Sequence, residues 1–220
     1  MMRMPMNIIF DMDGVIFDTE RLYLECCVPA AEKLGLAGIE EVVCECVGLT
    51  DEETDRRFRA YYGEDAPIDF FHQEVYQAFM ARYEEEGMTV KKGVVELLSY
   101  LKQTGAAIAI GSSTRSDLIE MELRGAGLLE YFDVIVGGDM VEHSKPAPDV
   151  FLLAAEKLGG DTSECIVIED SFNGVRAAHA AGCTVFMVPD LLEPTDEIRE
   201  LTNQVFPSLV EVRKWFEDRR

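Results

Sequence analysis

Five short apolar runs constrain what this chain can fold into more than any other feature. After residue 90 come AAIAIG (106–111), DVIVGG (133–138), CIVIED (165–170) and CTVFMVP (183–189), and IIFD (8–11) stands near the N-terminus. Each is rich in Ile and Val and stops at Gly, Pro or an acid, the pattern of strands buried on both faces. Between them lie GVVELLSYLKQTG (93–105), SDLIEMELRGAG (116–127), PDVFLLAAEKLGG (148–160) and NGVRAAHAAG (173–182), which have helical spacing and end in glycine. Strand and helix in alternation predict an α/β fold with a parallel, doubly wound sheet and right-handed crossovers.

Residues 18–89 have another texture. Leu22, Cys26, Ala30 and Leu34 recur every four residues, Ile39, Val42, Val43, Cys46 and Val47 form one stripe, and Phe71, Val75 and Phe79 a third. Thr50 and Glu53 have capping-box spacing, which predicts a helix from Asp51 to about Tyr62. Pro29 is expected to kink or break the first helix. The expected organisation is therefore a core of residues 1–17 and 90–220 interrupted by an all-helical insert, 18–89.

In such a sheet every strand delivers its last residues to one edge, where ligands bind. The first strand delivers Asp11 and Asp13, whose two-residue spacing sends both carboxylates to one side while Met12 turns the other way. Paired carboxylates at a buried strand end are costly to ionise unless a cation sits between them. The second run ends in Gly111, Ser112, Ser113 and Thr114 before a helix, a loop whose NH and OH groups suit an anion. After the third comes HSKPAPDVF, with Lys145, and the fourth ends in Glu169 and Asp170. Alone, each piece reads as a turn, a helix start or a surface lysine. Together they supply carboxylates for a divalent, oxygen-seeking metal and NH, OH and ammonium groups for a phosphoryl group.

DMDGV (11–15), Ser112, KPAPDVF (145–151) and IEDSFNG (168–174) resemble, in order and spacing, the four motifs of the haloacid dehalogenase superfamily. The helical insert after the first motif is similar to the cap of its β-phosphoglucomutase and sugar-phosphate phosphatase branch. The resemblance implies a Rossmann-like core, a mobile helical cap, Mg2+ and an aspartyl-phosphate intermediate. It makes Asp11 the nucleophile and Asp13 the acid and base. It gives the metal to Asp11, the Asp13 backbone carbonyl and Asp170, with Glu169 near the metal shell. It gives the phosphoryl oxygens to Ser112, Lys145 and the NH groups of Ser113 and Met12, with Lys145 also countering Asp11. Asp18 and Thr19 fall at the cap hinge, where a plain helix start is an equal reading.

An acid two residues after the nucleophile implies transfer from a phosphate ester. The mutases' cap histidine, lysine and arginine fall here on Tyr23, Val47 and Asp51, which favours a phosphatase of small phosphorylated metabolites, sugar phosphates first, over a phosphosugar mutase. A phospho-accepting signalling domain also combines acids, a hydroxyl and a lysine, but the acid-rich first strand and the insert argue against it.

Composition bounds the partners. Forty-two acids against 20 Lys and Arg give a net charge of −22, which disfavours nucleic acid and anionic membranes as partners. No apolar run approaches the ~18 residues of a membrane span, and no signal peptide is visible. Cysteines 26, 27, 44, 46, 165 and 183 lack the pairing of zinc sites and read as reduced thiols. A cytoplasmic monomer is expected.

Overall fold

The computed structural model describes the backbone of residues 7–46 and 51–219, and the side chains of all of these except 51–53. The chain divides into two compact units, one of residues 1–17 and 90–220 and one of residues 18–89.

The first unit is built on a six-stranded sheet in which every pairing is parallel, with strand order β3-β2-β1-β4-β5-β6. The strands are β1 (Asn7–Phe10), β2 (Ala107–Gly111), β3 (Val134–Val136), β4 (Cys165–Glu169), β5 (Thr184–Met187) and β6 (Gln204–Val205). This is a Rossmann-like α/β fold. The order reverses at β1, which runs between β2 and β4 with Phe10 level with Ile110 on one side and Ile168 on the other.

Alternation along the strands decides which face each helix covers. Ile9, Ala109, Val167 and Val185 belong to a buried cluster with α7 (Asp149–Leu158) and α8 (Phe172–Ala180). In the opposite phase, Phe186 of β5 meets Trp215 and Phe216 of α10 (Leu209–Glu217), and α10 in turn packs on α5 (Val94–Gln103). Gly93, at φ +93° just before α5, lies hard against α10, since a Cβ there would lie 2.9 Å from the Val210 nitrogen. This unit also contains α6 (Ser116–Gly125), which packs beside β3, and the short α9 (Asp196–Leu201).

The second unit is helical throughout its described residues: α1 (Thr19–Leu34), α2 (Ile39–Cys46), α3 (Asp51–Tyr62) and α4 (Ile68–Glu86). Cys26, Cys27, Ala30, Ala31, Ile39, Val42, Val43, Phe58, Phe71 and Val75 form its core. The apolar stripes read from the sequence are thus the buried faces, with Leu22, Leu34, Cys46 and Phe79 packed at the margin. Of the kink or break expected at Pro29, the break does not occur: α1 runs through it from Thr19 to Leu34. Its ring removes one backbone donor, yet Cys26, Cys27, Ala30 and Ala31 anchor the turns on both sides, and tertiary packing outweighs the lost bond. Val47, the Thr50–Glu53 pair and the Asp51 side chain lie outside the described residues. All six cysteines are free, and Cys26, Cys27, Cys165 and Cys183 are buried. Among the described residues, no helix is long and apolar enough to cross a membrane.

Candidate active site

The Asp11 NH continues the β1–β4 ladder by donating to the Ile168 carbonyl at 2.9 Å, so the strand is still extended where the carboxylate begins. The chain then turns sharply. The Met12 carbonyl accepts from the NH groups of Ile16 and Phe17, and the Gly14 NH donates to the Phe17 carbonyl. Gly14 adopts φ +73°, and a Cβ there would stand 2.2 Å from Asp170 Oδ2. Glycine is required both by the left-handed backbone and by a carboxylate pressed against its Cα.

Three of the predicted acids converge. Asp11, Glu169 and Asp170 are buried, and one carboxylate oxygen from each lies within 4.8 Å of the others. Lys145 reaches them from the β3–α7 loop. Its Nζ donates to Asp11 Oδ1 at 2.6 Å and to Glu169 Oε1 at 2.8 Å, and it sits 4.8 Å over the Phe151 ring. The Lys145–Pro146 peptide is cis.

Glu169 is fully buried and fully engaged. While Oε1 takes the lysine, Oε2 accepts from the NH groups of Asp170 and Ser171 and from the Ser171 hydroxyl. Ser171 is also the N-cap of α8, accepting from the Gly174 NH. Gly174 leaves the room: a Cβ there would fall 1.6 Å from Glu169 Oε1. The first turn of α8 is therefore closed down on a carboxylate, a favourable end of the helix for an anion.

Asp13 is not one of the three clustered carboxylates. Its Oδ2 accepts from the Thr114 hydroxyl at 2.7 Å. Ser112 is buried at the end of β2, where its NH donates to the Val136 carbonyl and its Oγ accepts from the Thr114 NH, leaving the hydroxyl proton to give elsewhere. Ser113 is exposed, and Met12 is buried. Gly137 and Gly138 hold this loop tightly, for a Cβ on Gly138 would come within 2.3 Å of the Ser113 carbonyl oxygen. Asp139 adds bonds to the NH and hydroxyl of Ser116 at the start of α6.

The sequence reading gave Gly14 and Gly174 no role, took Ser171 no further than a helix cap, and named Thr114 only as part of the anion-suited loop. Thr114 lay inside the recognised GSST loop, but its bond to Asp13 spans 101 residues and has no local signal.

The charges are out of balance. Burial drives the Asp11 carboxyl up to about 8; Lys145 opposes this, and Glu169 and Asp13 add to it. Burial works against the Lys145 charge too, but Asp11 and Glu169 together hold it above its ordinary value. With all three clustered carboxylates ionised, the one ammonium leaves two negative charges, the complement of one divalent cation, and such a cation would favour the ionised form of Asp11. An all-oxygen donor set suits Mg2+, so these residues fit that ion.

A family model described as haloacid dehalogenase-like hydrolase matches residues 8–188. The chain belongs to this family. Among its haloacid dehalogenase-like relatives, the bifunctional riboflavin kinase/FMN phosphatase of Arabidopsis thaliana is 32% identical over 211 residues, covering 94% of this chain. The match spans 55% of that protein, so the chain corresponds to about half of its length. The phosphorylated carbohydrates phosphatase of Thermotoga maritima is 34% identical over 175 residues, 80% of this chain and 81% of that one. A crystal structure titled as a putative beta-phosphoglucomutase from Thermotoga maritima superposes with a TM-score of 0.77 at 30% identity, covering 96% of this chain and 98% of the other.

Proposed function

We propose that this haloacid dehalogenase-like hydrolase is a magnesium-dependent phosphatase of small phosphorylated metabolites, sugar phosphates first, working through an aspartyl-phosphate. The observation that carries the reading is the buried Asp11–Glu169–Asp170 cluster at the strand ends, with the Lys145 ammonium bonded to Asp11 and Glu169. The resemblance to a phosphorylated carbohydrates phosphatase supports the substrate class.

In this reading Lys145 holds Asp11 Oδ1 and leaves the second oxygen to attack phosphorus in line. The ester P–O bond breaks as the Asp11–phosphorus bond forms, and Asp13 gives its proton to the departing alcohol oxygen. Asp13, now ionised, takes a proton from water. The resulting hydroxide attacks phosphorus, the bond to Asp11 breaks, and inorganic phosphate leaves with the carboxylate restored. Ser112, Lys145 and the NH groups of Met12 and Ser113 bind the phosphoryl oxygens. A magnesium ion held by Asp11, the Asp13 carbonyl and Asp170 would neutralise charge on the transferring group. Glu169, whose oxygens are already occupied, backs this set by fixing Lys145. The helical unit is the part of the chain assigned to selecting the leaving group, as a cap.

The relative titled as a putative beta-phosphoglucomutase makes mutase activity the second reading. Against it, Tyr23 stands where the resemblance puts the mutases' histidine, and its hydroxyl is hydrogen-bonded to the free thiol of Cys27 within its own unit. The test is a hydrolysis screen over phosphorylated metabolites with and without magnesium. Steady phosphate release from sugar monophosphates is expected, with no conversion of β-glucose 1-phosphate to glucose 6-phosphate when a catalytic amount of glucose 1,6-bisphosphate is present. Fast isomer conversion with little phosphate release would reverse the ranking.

A further inference from the structure

Thr114 is held at three points. Its NH donates to Ser112 Oγ at 3.1 Å, its carbonyl accepts from the Gly138 NH at 2.9 Å, and its hydroxyl donates to Asp13 Oδ2 at 2.7 Å. With the backbone fixed on both sides and a β-branched side chain that has few rotamers, the hydroxyl has little freedom to point elsewhere. The bond crosses from the loop after β2 to the turn after β1, so it joins two strand ends that no backbone pairing connects at that point.

We propose that Thr114 is the positioning residue of the proton donor: it fixes the plane of the Asp13 carboxyl and keeps Oδ2 occupied, so that Oδ1 carries the proton to the leaving oxygen. The inference rests on the phosphatase reading above. As the ester bond breaks, the proton passes from Asp13 Oδ1 to the alcohol oxygen and the carboxyl becomes a carboxylate. The Thr114 hydrogen bond then ends on a charged acceptor and strengthens, because charge-assisted bonds are shorter and stronger than neutral ones. A bond that tightens along the reaction lowers the barrier, whereas one that is equally strong throughout does not. Thr114 touches neither phosphorus nor leaving group in this account and acts only through Asp13.

The experiment compares kcat/KM for a primary alkyl phosphate, whose alkoxide must be protonated as it leaves, with that for p-nitrophenyl phosphate, whose phenolate leaves without a proton. Because kcat/KM reports steps up to loss of the leaving group, the later use of Asp13 as base does not enter. Thr114→Val should lower kcat/KM for the alkyl ester by about tenfold or more while changing the aryl ester by less than about twofold. Thr114→Ser, which keeps the hydroxyl, should restore most of the alkyl activity. Each preparation is read with both esters, so a reduced folded fraction cancels from the ratio, and Thr114→Ala gives the same ratio without the branched side chain. Equal loss on both esters would reduce Thr114 to a structural role and overturn the proposal. So would an unchanged or faster alkyl reaction in Thr114→Val, or failure of Thr114→Ser to recover it. The alkyl ester is the best primary phosphate from the metabolite screen; if that screen finds none that the unaltered protein hydrolyses, the phosphatase reading itself fails, and this proposal goes with it.

Discussion

Replacing Lys145 by methionine tests whether the site is held by charge. The lysine side chain is 7% exposed, and its two partners, Asp11 and Glu169, are 8% and 0% exposed at the side chain, with bonds of 2.6 and 2.8 Å. Methionine keeps an unbranched stem over the Phe151 ring, so little packing is lost. What goes is the lysine donor to Glu169 Oε1, while Oε2 keeps the three donors from Asp170 and Ser171. Removing one partner of a buried ion pair costs about 3–5 kcal/mol, because a charge is left without a counterpart. At roughly 2–4 °C for each kcal/mol in a protein of this size, the melting temperature should fall by about 6–20 °C. The assay is thermal unfolding followed by circular dichroism, without added divalent cation. The double variant Lys145→Met with Glu169→Gln separates charge from packing. An amide oxygen can still accept at the Oε2 position, while its NH2 group faces Asp11 in place of the ammonium. This should recover about 1–3 kcal/mol, an interaction energy usual for residues in contact. A fall of less than about 2 °C in the single variant, or a double variant less stable than the single, would refute the electrostatic argument.

Asp11→Asn should reduce turnover by about a thousandfold or more without unfolding the protein, since an amide cannot form the acyl-phosphate; a variant retaining a tenth of the rate would remove Asp11 from its role. Chelation should stop phosphate release, and magnesium should restore it better than calcium, whose larger and looser shell suits in-line transfer less well. Asp170→Ala should raise the magnesium concentration needed for half-maximal rate, and an unchanged requirement would move the metal elsewhere. Glu122 of α6 is a separate pH test: burial, with a contribution from Asp13, raises its carboxyl from 4.5 to about 7. Between those values the native state binds more protons than the unfolded one, so this group's contribution to stability falls as pH rises and stays low above 7. The full effect is at most about 3 kcal/mol, and the side chain's partial exposure cuts it to about 1–2 kcal/mol. Glu122→Gln should therefore stabilise the protein at pH 8 and do little at pH 4.5. Equal melting curves at both pH values would show that the carboxyl is not held as described.

Elements that bury both faces were legible, because burial on both sides forces a continuous apolar run that only a glycine, a proline or an acid can end. β1, β2, β4 and β5 are of this kind. β6 was not legible: Gln204 and Val205 are exposed and form a strand only because β5 offers them an edge. Nor were α9 and α10, which follow the last apolar run; α9 has only six residues, and α10 is fixed by aromatic packing of Trp215 and Phe216 on Phe186. The candidate acids were visible because they terminate strands, a position that sequence marks directly. How they are paired was visible only in part. The family resemblance set Lys145 against Asp11, but nothing in the sequence says that Lys145 also bonds Glu169 or that Thr114 takes Asp13. Those choices depend on how far the loops after β2 and β3 reach, which Gly137, Gly138 and Asp139 settle by close contact.

The two glycines at the acid cluster explain why the carboxylates stay together despite their repulsion. Gly14 presents a bare Cα to Asp170, and Gly174 presents one to Glu169, so the backbone of the β1 turn and of α8 occupies the space into which either side chain would otherwise rotate. Glu169 is further fixed by three donors on one oxygen. The acids are thus gathered by packing and by backbone donors, and the Lys145 ammonium faces them, bonded to Asp11 and Glu169. A cluster assembled in this way pays for its repulsion in the ordering of the fold before any cation arrives. On the proposed reading, the gain on binding a dication would then not be spent on rearranging the ligands, which is the condition under which a site holds its reacting groups in place through the reaction.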